Sequence, residues 1–480
     1  MPLILNTSPD SPLPCREPAA DFEAVNSHFS AQVHAFFHAL HHLEDMAAKQ
    51  PSDELPLIRA SGLQPIIKIG YQLFEPELRW CLHRAFHTRR LTVRNPESLP
   101  VLNRVVELRI FPDEAWGEDP INRRPLALRT PLDLATRLPQ LRRLDCPWLG
   151  EHFPMAFKYQ AMRIISRVWV GPWRDDRAEF ARGVRYALPL LPSSLTKVRL
   201  WFLQRSPYGD NIDQAAQVPD LVGTSSSEFG HMDPMSAGLR ELGSRLEELD
   251  LYALITPDLF PSDDTLIWPH MQYLHVEFYP CGPDGRWYFS GPRGEDPSGK
   301  GFDITREEHY PPGQEDDEET HRVLSDEADE YWGEGAEVLY DHRLPDVFRI
   351  RPIAERINPL LLAFASSLYR MPSLQDAELF TWLKWQPSTE RAQEYEGSDE
   401  VPLTWADGQT LMFRWGVRYE APAVGGNGKG KVTWQVGEDF TPEDRVIRAF
   451  EDLVGKDGEG MEWIAFEFLE QREQDGEDYI

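Results

Sequence analysis

The feature that most constrains this chain is a short pattern of apolar residues, apolar-x-x-apolar-x-apolar, that recurs along it. Its clearest copy is Leu246-Glu-Glu-Leu249-Asp-Leu251. Because Leu249 and Leu251 lie two residues apart, their side chains share one side of an extended strand, and the residue between them faces the other side. The pattern therefore predicts a set of short strands that each bury one face.

Eight copies of the pattern are found, and each is identified by its central apolar residue: Leu91, Leu108, Leu144, Val168, Val198, Leu249, Leu274 and Ala377. Intervals of 24 and 25 residues between copies match leucine-rich repeats, which run about 20–29 residues, whereas the other intervals are irregular. Stacked units of this kind share one core and leave a curved parallel sheet for binding. We predict an irregular leucine-rich-repeat-like α/β solenoid with parallel strands. An ordinary α/β domain with several short strands is the alternative.

The expected organisation follows from composition and pattern along the chain. Residues 1–20 are rich in proline and are predicted to be disordered, and residues 21–87 are predicted to be helical. The solenoid is expected over residues 88–285 and again over 346–395, on either side of an acidic insertion or loop at 286–345. Residues 396–480 are expected to form an α+β cap that closes the solenoid.

The spacing of apolar residues predicts the secondary structure near the two ends of the chain. Val33, Phe36, Phe37, Leu40 and Leu43 lie at helical spacing, which predicts one helix over residues 21–48. Residues 55–90 are interpreted as two or three shorter helices, one of which includes residues 65–70. Near the other end, residues 411–419 and 431–436 are predicted to be strands joined by a glycine-rich hairpin tip, followed by a helix that begins near Pro442.

Composition narrows the functional classes. No apolar run approaches the roughly 18 residues of a membrane helix, and the N-terminus lacks the features of a secretory signal. The four cysteines are scattered without a Cys-x-x-Cys pair, which indicates reduced, packed side chains and a cytoplasmic or nuclear location.

Charge is spread unevenly over a chain whose formal net charge is −30. Residues 79–205 hold 23 Arg or Lys against 12 Asp or Glu, whereas residues 291–345 hold 17 acids against 5 bases. The overall negative charge argues against nucleic-acid binding, and the acidic segments could equally mask the basic region. We predict a partner-binding surface formed by arginines and tryptophans of the repeat strands: Arg90, Arg109, Arg142, Arg143, Arg167, Trp169, Arg199 and Trp201.

The junction at residues 78–93, Leu-Arg-Trp-Cys-Leu-His-Arg-Ala-Phe-His-Thr-Arg-Arg-Leu-Thr-Val, resembles the place in fungal F-box proteins where the F-box ends and leucine-rich repeats begin. Residues 138–146, 191–198 and 239–246 also resemble repeats of that family. The resemblance implies substrate recognition for a ubiquitin ligase and a cullin-ligase adaptor as one partner. The Leu-Pro-x-Glu-Ile start of an F-box is absent, and only Leu55-Pro56-Leu57-Ile58 stands in its place.

Two sets of residues in the sequence favour chemistries other than protein recognition. His34, His38, His41 and Asp45 lie on one face of the first predicted helix and include residue types that bind zinc, although a second segment would be needed to complete the site. Adjacent acids could serve a hydrolase if a cleft held two of them with unlike pKa values. These acid pairs are Asp175-Asp176, Asp263-Asp264, Glu307-Glu308 and Asp316-Asp317.

We therefore predict a non-enzymatic scaffold for protein–protein interaction with no metal and no cofactor. A hydrolase-like enzyme that uses an acidic cluster and a purely structural protein are the two alternatives.

Overall fold

The structure is a computed structural model. It describes residues 19–49, 66–69, 89–112, 125–147, 149–151, 153, 170–203, 212–223, 228–261, 266–310, 346–398, 400–401, 411–422, 430–437, 440–454, 460–464 and 469–470. The chain divides into two compact units: unit 1 comprises residues 1–204 and 305–340, and unit 2 comprises residues 205–304 and 341–480.

The helices are distributed over both units. In chain order they are α1 (Ala19–Lys49), α2 (Thr130–Ala135), α3 (Val170–Ala187), α4 (Pro234–Gly243), α5 (Arg306–His309), α6 (Ala354–Leu368), α7 (Thr389–Glu394) and α8 (Asp444–Val454).

The strands are mostly short. In chain order they are β1 (Ile66–Ile69), β2 (Glu107–Pro112), β3 (Arg143–Cys146), β4 (Lys197–Trp201), β5 (Glu248–Ala253), β6 (Tyr273–Phe278), β7 (Phe289–Ser290), β8 (Arg351–Pro352), β9 (Asp376–Trp385), β10 (Leu411–Glu420), β11 (Lys431–Gln435), β12 (Met461–Trp463) and β13 (Leu469–Glu470).

The strands of unit 1 pair in the order β1-β2-β3-β4, and all three pairings are parallel. Helices α2 and α3 lie in the connections between successive strands, as parallel pairing requires a crossover. Leu91, which the repeat pattern places in a strand, forms a single parallel bridge with Leu126.

The strands of unit 2 begin with the same parallel pairing and then reverse. β5, β6 and β9 run parallel in register, whereas β10 lies antiparallel between β9 and β11, and β12 is parallel to β11. β13 pairs antiparallel with β10, and β7 and β8 form a separate antiparallel pair. The chain is thus a mixed α/β protein whose repeat-pattern strands run parallel, which confirms that part of the prediction.

The repeat pattern predicts the buried side of these strands correctly. Leu108, Leu144 and Val198 in unit 1 and Leu249 and Leu274 in unit 2 are all at most 2% exposed. The apolar residues two positions further along are also buried, as the period of two requires. The predicted C-terminal strands are likewise present as β10 and β11.

Several predictions differ from the structure. Residues 66–69 form a strand rather than a helix, because their isoleucines are β-branched and β2 offers a parallel partner. Val170, the last residue of a predicted strand, is instead the first residue of α3. Helix α8 begins at Asp444, two residues after Pro442.

The acidic insertion predicted at 286–345 also begins differently. Trp287 and Phe289 are fully buried, and Arg349 binds the carbonyl of Phe289 and the carboxylate of Asp296. Residues 287–290 are therefore packed into the core, whereas many of residues 292–308 are exposed, and residues 311–345 lie outside the described residues.

Helix α1 is confirmed, but its buried side is partly polar. Leu43 is 40% exposed, whereas Asn26, Ser30 and Glu44 are buried. Asn26 and Ser30 accept hydrogen bonds from the backbone amides of Thr92 and Arg94, and Glu44 accepts from those of Asn103 and Arg104. Burial of these polar groups is tolerated because each meets a backbone donor. Of the cysteines, Cys146 and Cys281 are reduced and buried, and Cys15 and Cys81 lie outside the described residues.

Candidate interaction surface of unit 1

The central strands of unit 1 present charged residues on the side opposite their apolar core residues. We call this set the basic face: Glu107, Arg109, Arg143, Asp145, Lys197 and Arg199. The parallel register places these residues side by side in two rows, Glu107–Arg143–Lys197 and Arg109–Asp145–Arg199. Four of the six residues are basic, so the face carries a net positive charge.

Asp145 organises the second row. Its side chain is only 2% exposed, and its two carboxylate oxygens accept hydrogen bonds from Nε and Nη2 of Arg199 at 2.5 and 2.7 Å. Nε of Arg109 lies 3.3 Å from the same carboxylate on the other side. A bidentate carboxylate bond fixes the plane of a guanidinium group. One buried acid thus accepts two hydrogen bonds from Arg199 and lies at ion-pair distance from Arg109, and the row keeps a net positive charge.

The Arg199 side chain is fixed from a second direction. Its guanidinium carbon lies 5.0 Å from the centre of the Trp201 ring, a distance at which a cation is attracted to the face of an aromatic ring. Trp201 is 9% exposed, so it supports Arg199 and offers little surface of its own.

The first row of the face is more accessible. Lys197 is exposed and Arg143 is half-buried, and Arg142, just before β3, is exposed as well. These side chains extend the positive charge from the Asp145 clamp toward the amino ends of the strands.

Arg90 is not a surface residue as predicted. Its side chain is 12% exposed and donates hydrogen bonds to the carbonyls of Leu126, Leu149 and Gly150. It also lies 3.3 Å from the carboxylate of Asp176. Arg90 therefore ties segments of unit 1 together and is not available to a partner. Arg167 and Trp169 lie outside the described residues.

The predicted acid pair Asp175-Asp176 lies in a run of four charged residues near the start of α3. Arg174 donates to the hydroxyl of Tyr310, and that hydroxyl donates to Asp175. Arg177 is fully buried and donates to Glu151 at 2.9 Å, and Trp173 Nε1 donates to the same carboxylate at 2.7 Å. Each charged side chain of the run thus has its own structural partner.

Asp176 differs from its neighbours in its acidity. Burial raises its pKa to about 6, and the nearby charge of Arg90 and the amide of Leu128 only partly oppose that rise. A carboxyl group that titrates near neutrality is a recognised mark of an active site. Here, however, the carboxylate is 12% exposed and bonded to the Leu128 amide at 3.0 Å, which indicates a structural role.

Of the other predicted acid pairs, one lies among the described residues. Glu307 and Glu308 are exposed residues of the short helix α5. Asp263-Asp264 and Asp316-Asp317 lie outside the described residues.

Two of the histidines proposed as weak zinc ligands on α1 lie close to other protein groups. Nε2 of His34 lies 2.9 Å from the carbonyl oxygen of Arg94, and His41 lies 3.9 Å from Asp45. Among the residues that the structure describes, no group of three His, Cys, Asp or Glu side chains is placed to hold a metal ion.

Sequence reasoning missed the residue that organises this surface. Asp145 is the polar residue between Leu144 and Cys146, so its outward direction was predictable from the strand pattern. Its partner Arg199 lies 54 positions away, and that pairing became visible only once the strands were in register.

Comparisons of this chain with protein-family models, with curated proteins and with solved structures find no match. Within the described part of the chain, none of the helices combines the length and the apolar character needed to cross a bilayer.

Proposed function

We propose that this chain is a protein–protein interaction scaffold and that the basic face of unit 1 binds an acidic segment of a partner protein. The observation that carries the proposal is the Asp145 clamp, which holds Arg109 and Arg199 in place on a row of parallel strands. Guanidinium groups that are already fixed lose less freedom when a carboxylate binds, so the preformed row favours association.

The partner is proposed to be a protein rather than a nucleic acid. The formal net charge of −30 would repel a phosphate polymer at long range, whereas a short acidic peptide segment meets only the local positive field. Attraction of this kind raises the association rate and weakens as salt is added.

The narrower form of the proposal makes the chain a substrate-recognition subunit of a ubiquitin ligase in the cytoplasm or nucleus, with a cullin-ligase adaptor as its second partner. The repeat pattern and the parallel pairing of its strands support a leucine-rich-repeat-like arrangement, in which the outward side of the strands is the binding side.

The proposal is tested with the double variant Arg143→Glu/Lys197→Glu in the full chain. These residues lie in the accessible row and do not hold Asp145, so the fold should persist. We expect partner proteins that co-purify with the unchanged chain at low salt to be depleted about tenfold, because two favourable charges become repulsive. Quantitative mass spectrometry of the co-purified proteins measures this depletion.

The matched control is Arg182→Glu/Arg185→Glu, which reverses two charges at exposed positions of α3 in the same unit. Equal recovery of the same partners with both double variants would refute binding at the basic face. Reproducible partners without any ligase adaptor among them would remove the ubiquitin-ligase form and leave the scaffold.

A further inference from the structure

The charged interior of unit 1 contains a carboxyl group that the proposed function does not use. Asp176 lies on α3 where two other parts of the unit contact it, the segment at Arg90 and the turn at Leu128, and where the charge of Glu151 acts on it. We propose that Asp176 is a proton sensor of unit 1, which takes up a proton in mildly acidic solution and thereby stabilises the unit against unfolding.

Few hydrogen bonds and ion pairs stabilise the ionised carboxylate of Asp176 in its buried position. Oδ2 accepts one hydrogen bond from the Leu128 amide and lies 3.3 Å from Nε of Arg90. Arg90 is shared, because its Nη1 and Nη2 atoms bind three backbone carbonyls. Arg90 therefore offsets only part of the cost of burying the Asp176 charge.

Other charged groups around Asp176 come from each element packed against it. Glu151 is fully buried, and its charge is matched by Arg177 at 2.9 Å. Glu179, one turn along α3, lies 3.5 Å from Arg129, which also binds Asp133 of α2. Asp175 bonds to Tyr310. The negative charges of Glu151 and Glu179 both disfavour the ionised form of Asp176 and so raise its pKa.

The direction of the pH effect follows from the proton balance. Burial raises the pKa of Asp176 to about 6 in the folded chain, whereas an unfolded aspartate has a pKa of about 3.9. Between these values the folded state holds more protons than the unfolded state, so the free energy of unfolding rises as the pH falls. The added stability is complete below the unfolded pKa and is lost as the pH rises through the folded pKa.

Arg90 indicates what protonation does locally. When the Asp176 charge is removed, Arg90 keeps its bonds to the carbonyls of Leu126, Leu149 and Gly150, so the join between these segments persists. Proton uptake therefore removes the cost of a buried charge without opening the structure.

The experiment compares urea unfolding of the full chain and of Asp176→Asn between about pH 7 and about pH 5. The amide oxygen of the variant can still accept the Leu128 amide but cannot titrate. We expect the unfolding equilibrium constant of the unchanged chain, relative to that of the variant, to fall about tenfold over this range. Parallel pH profiles for the two chains would overturn the proposal.

Glu97→Gln is the matched control, because it removes an exposed acid of the same unit that is not one of the charges acting on Asp176. The pH profile of this variant should follow that of the unchanged chain. A second measurement applies if Asp176→Asn folds poorly. Infrared spectra of the folded chain should show one carboxylic acid carbonyl band that appears as the pH falls through about 6 and is retained in Glu97→Gln. Absence of that band would also refute proton uptake.

Discussion

The two units use the same strand pattern with different charges on the outward side. In unit 1, Asp145 is shared by Arg109 and Arg199, and basic residues outnumber acids on the basic face. In unit 2, the corresponding side of β6, β9 and β10 has three nearly buried carboxylates, those of Glu277, Asp376 and Glu378. Arg418 binds Asp376 and Arg414 binds Glu378. The residues of the first arrangement carry a net positive charge, whereas these three acids and two arginines carry a net negative charge.

His275 adds to the compensation in unit 2. Its two ring nitrogens lie 3.6 Å from Asp376 and 3.7 Å from Glu378, so the imidazole is bracketed by the carboxylates of the neighbouring strand. Arg414 also lies 4.0 Å above the ring of Phe380, beside Gly416. An added Cβ at Gly416 would lie 2.6 Å from Cβ of Phe380, so the close approach of β9 and β10 requires glycine there. The charges of Asp376 and Glu378 are therefore paired with arginines of the same surface.

The apolar pattern is shared by the two units, and the outward residues set the charge of each surface. Leu144 and Leu249 occupy equivalent positions in the two units, and both are fully buried. The difference in surface charge therefore resides in a few side chains between the apolar positions, where Asp145 lies beside two arginines and Glu378 lies beside an arginine and a histidine.

The largest loss of stability is expected when the buried leucines of the strand pattern common to both units are truncated. Leu144→Ala and Leu249→Ala should each lower the free energy of unfolding by about 2–5 kcal/mol, because each leaves a cavity in a closed core. Hydrogen exchange of the amides in β3 and β5 should report each loss in its own unit. Leu190→Ala, at a 50% exposed position, is the control and should have little effect. A cost below about 1 kcal/mol in either unit would show that the strands are not equivalent.

A smaller effect separates the two charged sides. Asp145→Asn removes the carboxylate from two arginines at once and should cost about 1–3 kcal/mol, whereas Glu378→Gln should cost about 1 kcal/mol, since one arginine loses its carboxylate partner. Urea unfolding measures both, with Asp452→Asn at an exposed position of α8 as the control. If Glu378→Gln were the more damaging change, Asp145 would not be the organising residue that its contacts indicate.

The residues that were predicted and those that were missed differ in a physical way. Leu108, Val198 and Leu274 were assigned to buried strand positions because a period of two is local and needs no partner to be recognised. Residues 66–69 were misassigned because a short isoleucine-rich run is ambiguous until its pairing with β2 is known. Local pattern therefore predicts the side of a strand better than it predicts an isolated apolar run.

Long polar side chains were the least predictable part of the candidate site. Arg90 is next to a copy of the repeat pattern, and Arg199 lies within one. The Arg90 side chain nevertheless donates hydrogen bonds to carbonyls 36, 59 and 60 positions away in sequence. Asp176 appeared in the sequence as one of several acid pairs, and only its burial against Arg90 distinguishes it. Such roles depend on contacts between distant segments, which spacing alone does not encode.

The smallest change in stability is expected when the arginine of an arginine–aspartate pair is replaced, in unit 1 or in unit 2. Arg418 is 46% exposed in its bond to Asp376, whereas Arg199 is 22% exposed in its bidentate bond to Asp145. Because solvent and salt screen an exposed pair, Arg418→Gln should cost at most about 1 kcal/mol, and that cost should shrink at high salt. Arg199→Gln should cost more and depend less on salt, since both members of its pair are less exposed than those of the Arg418 pair. Urea unfolding of both variants at low and high salt measures the contrast, and equal salt dependence would mean that burial of Asp145 does not set the strength of its clamp.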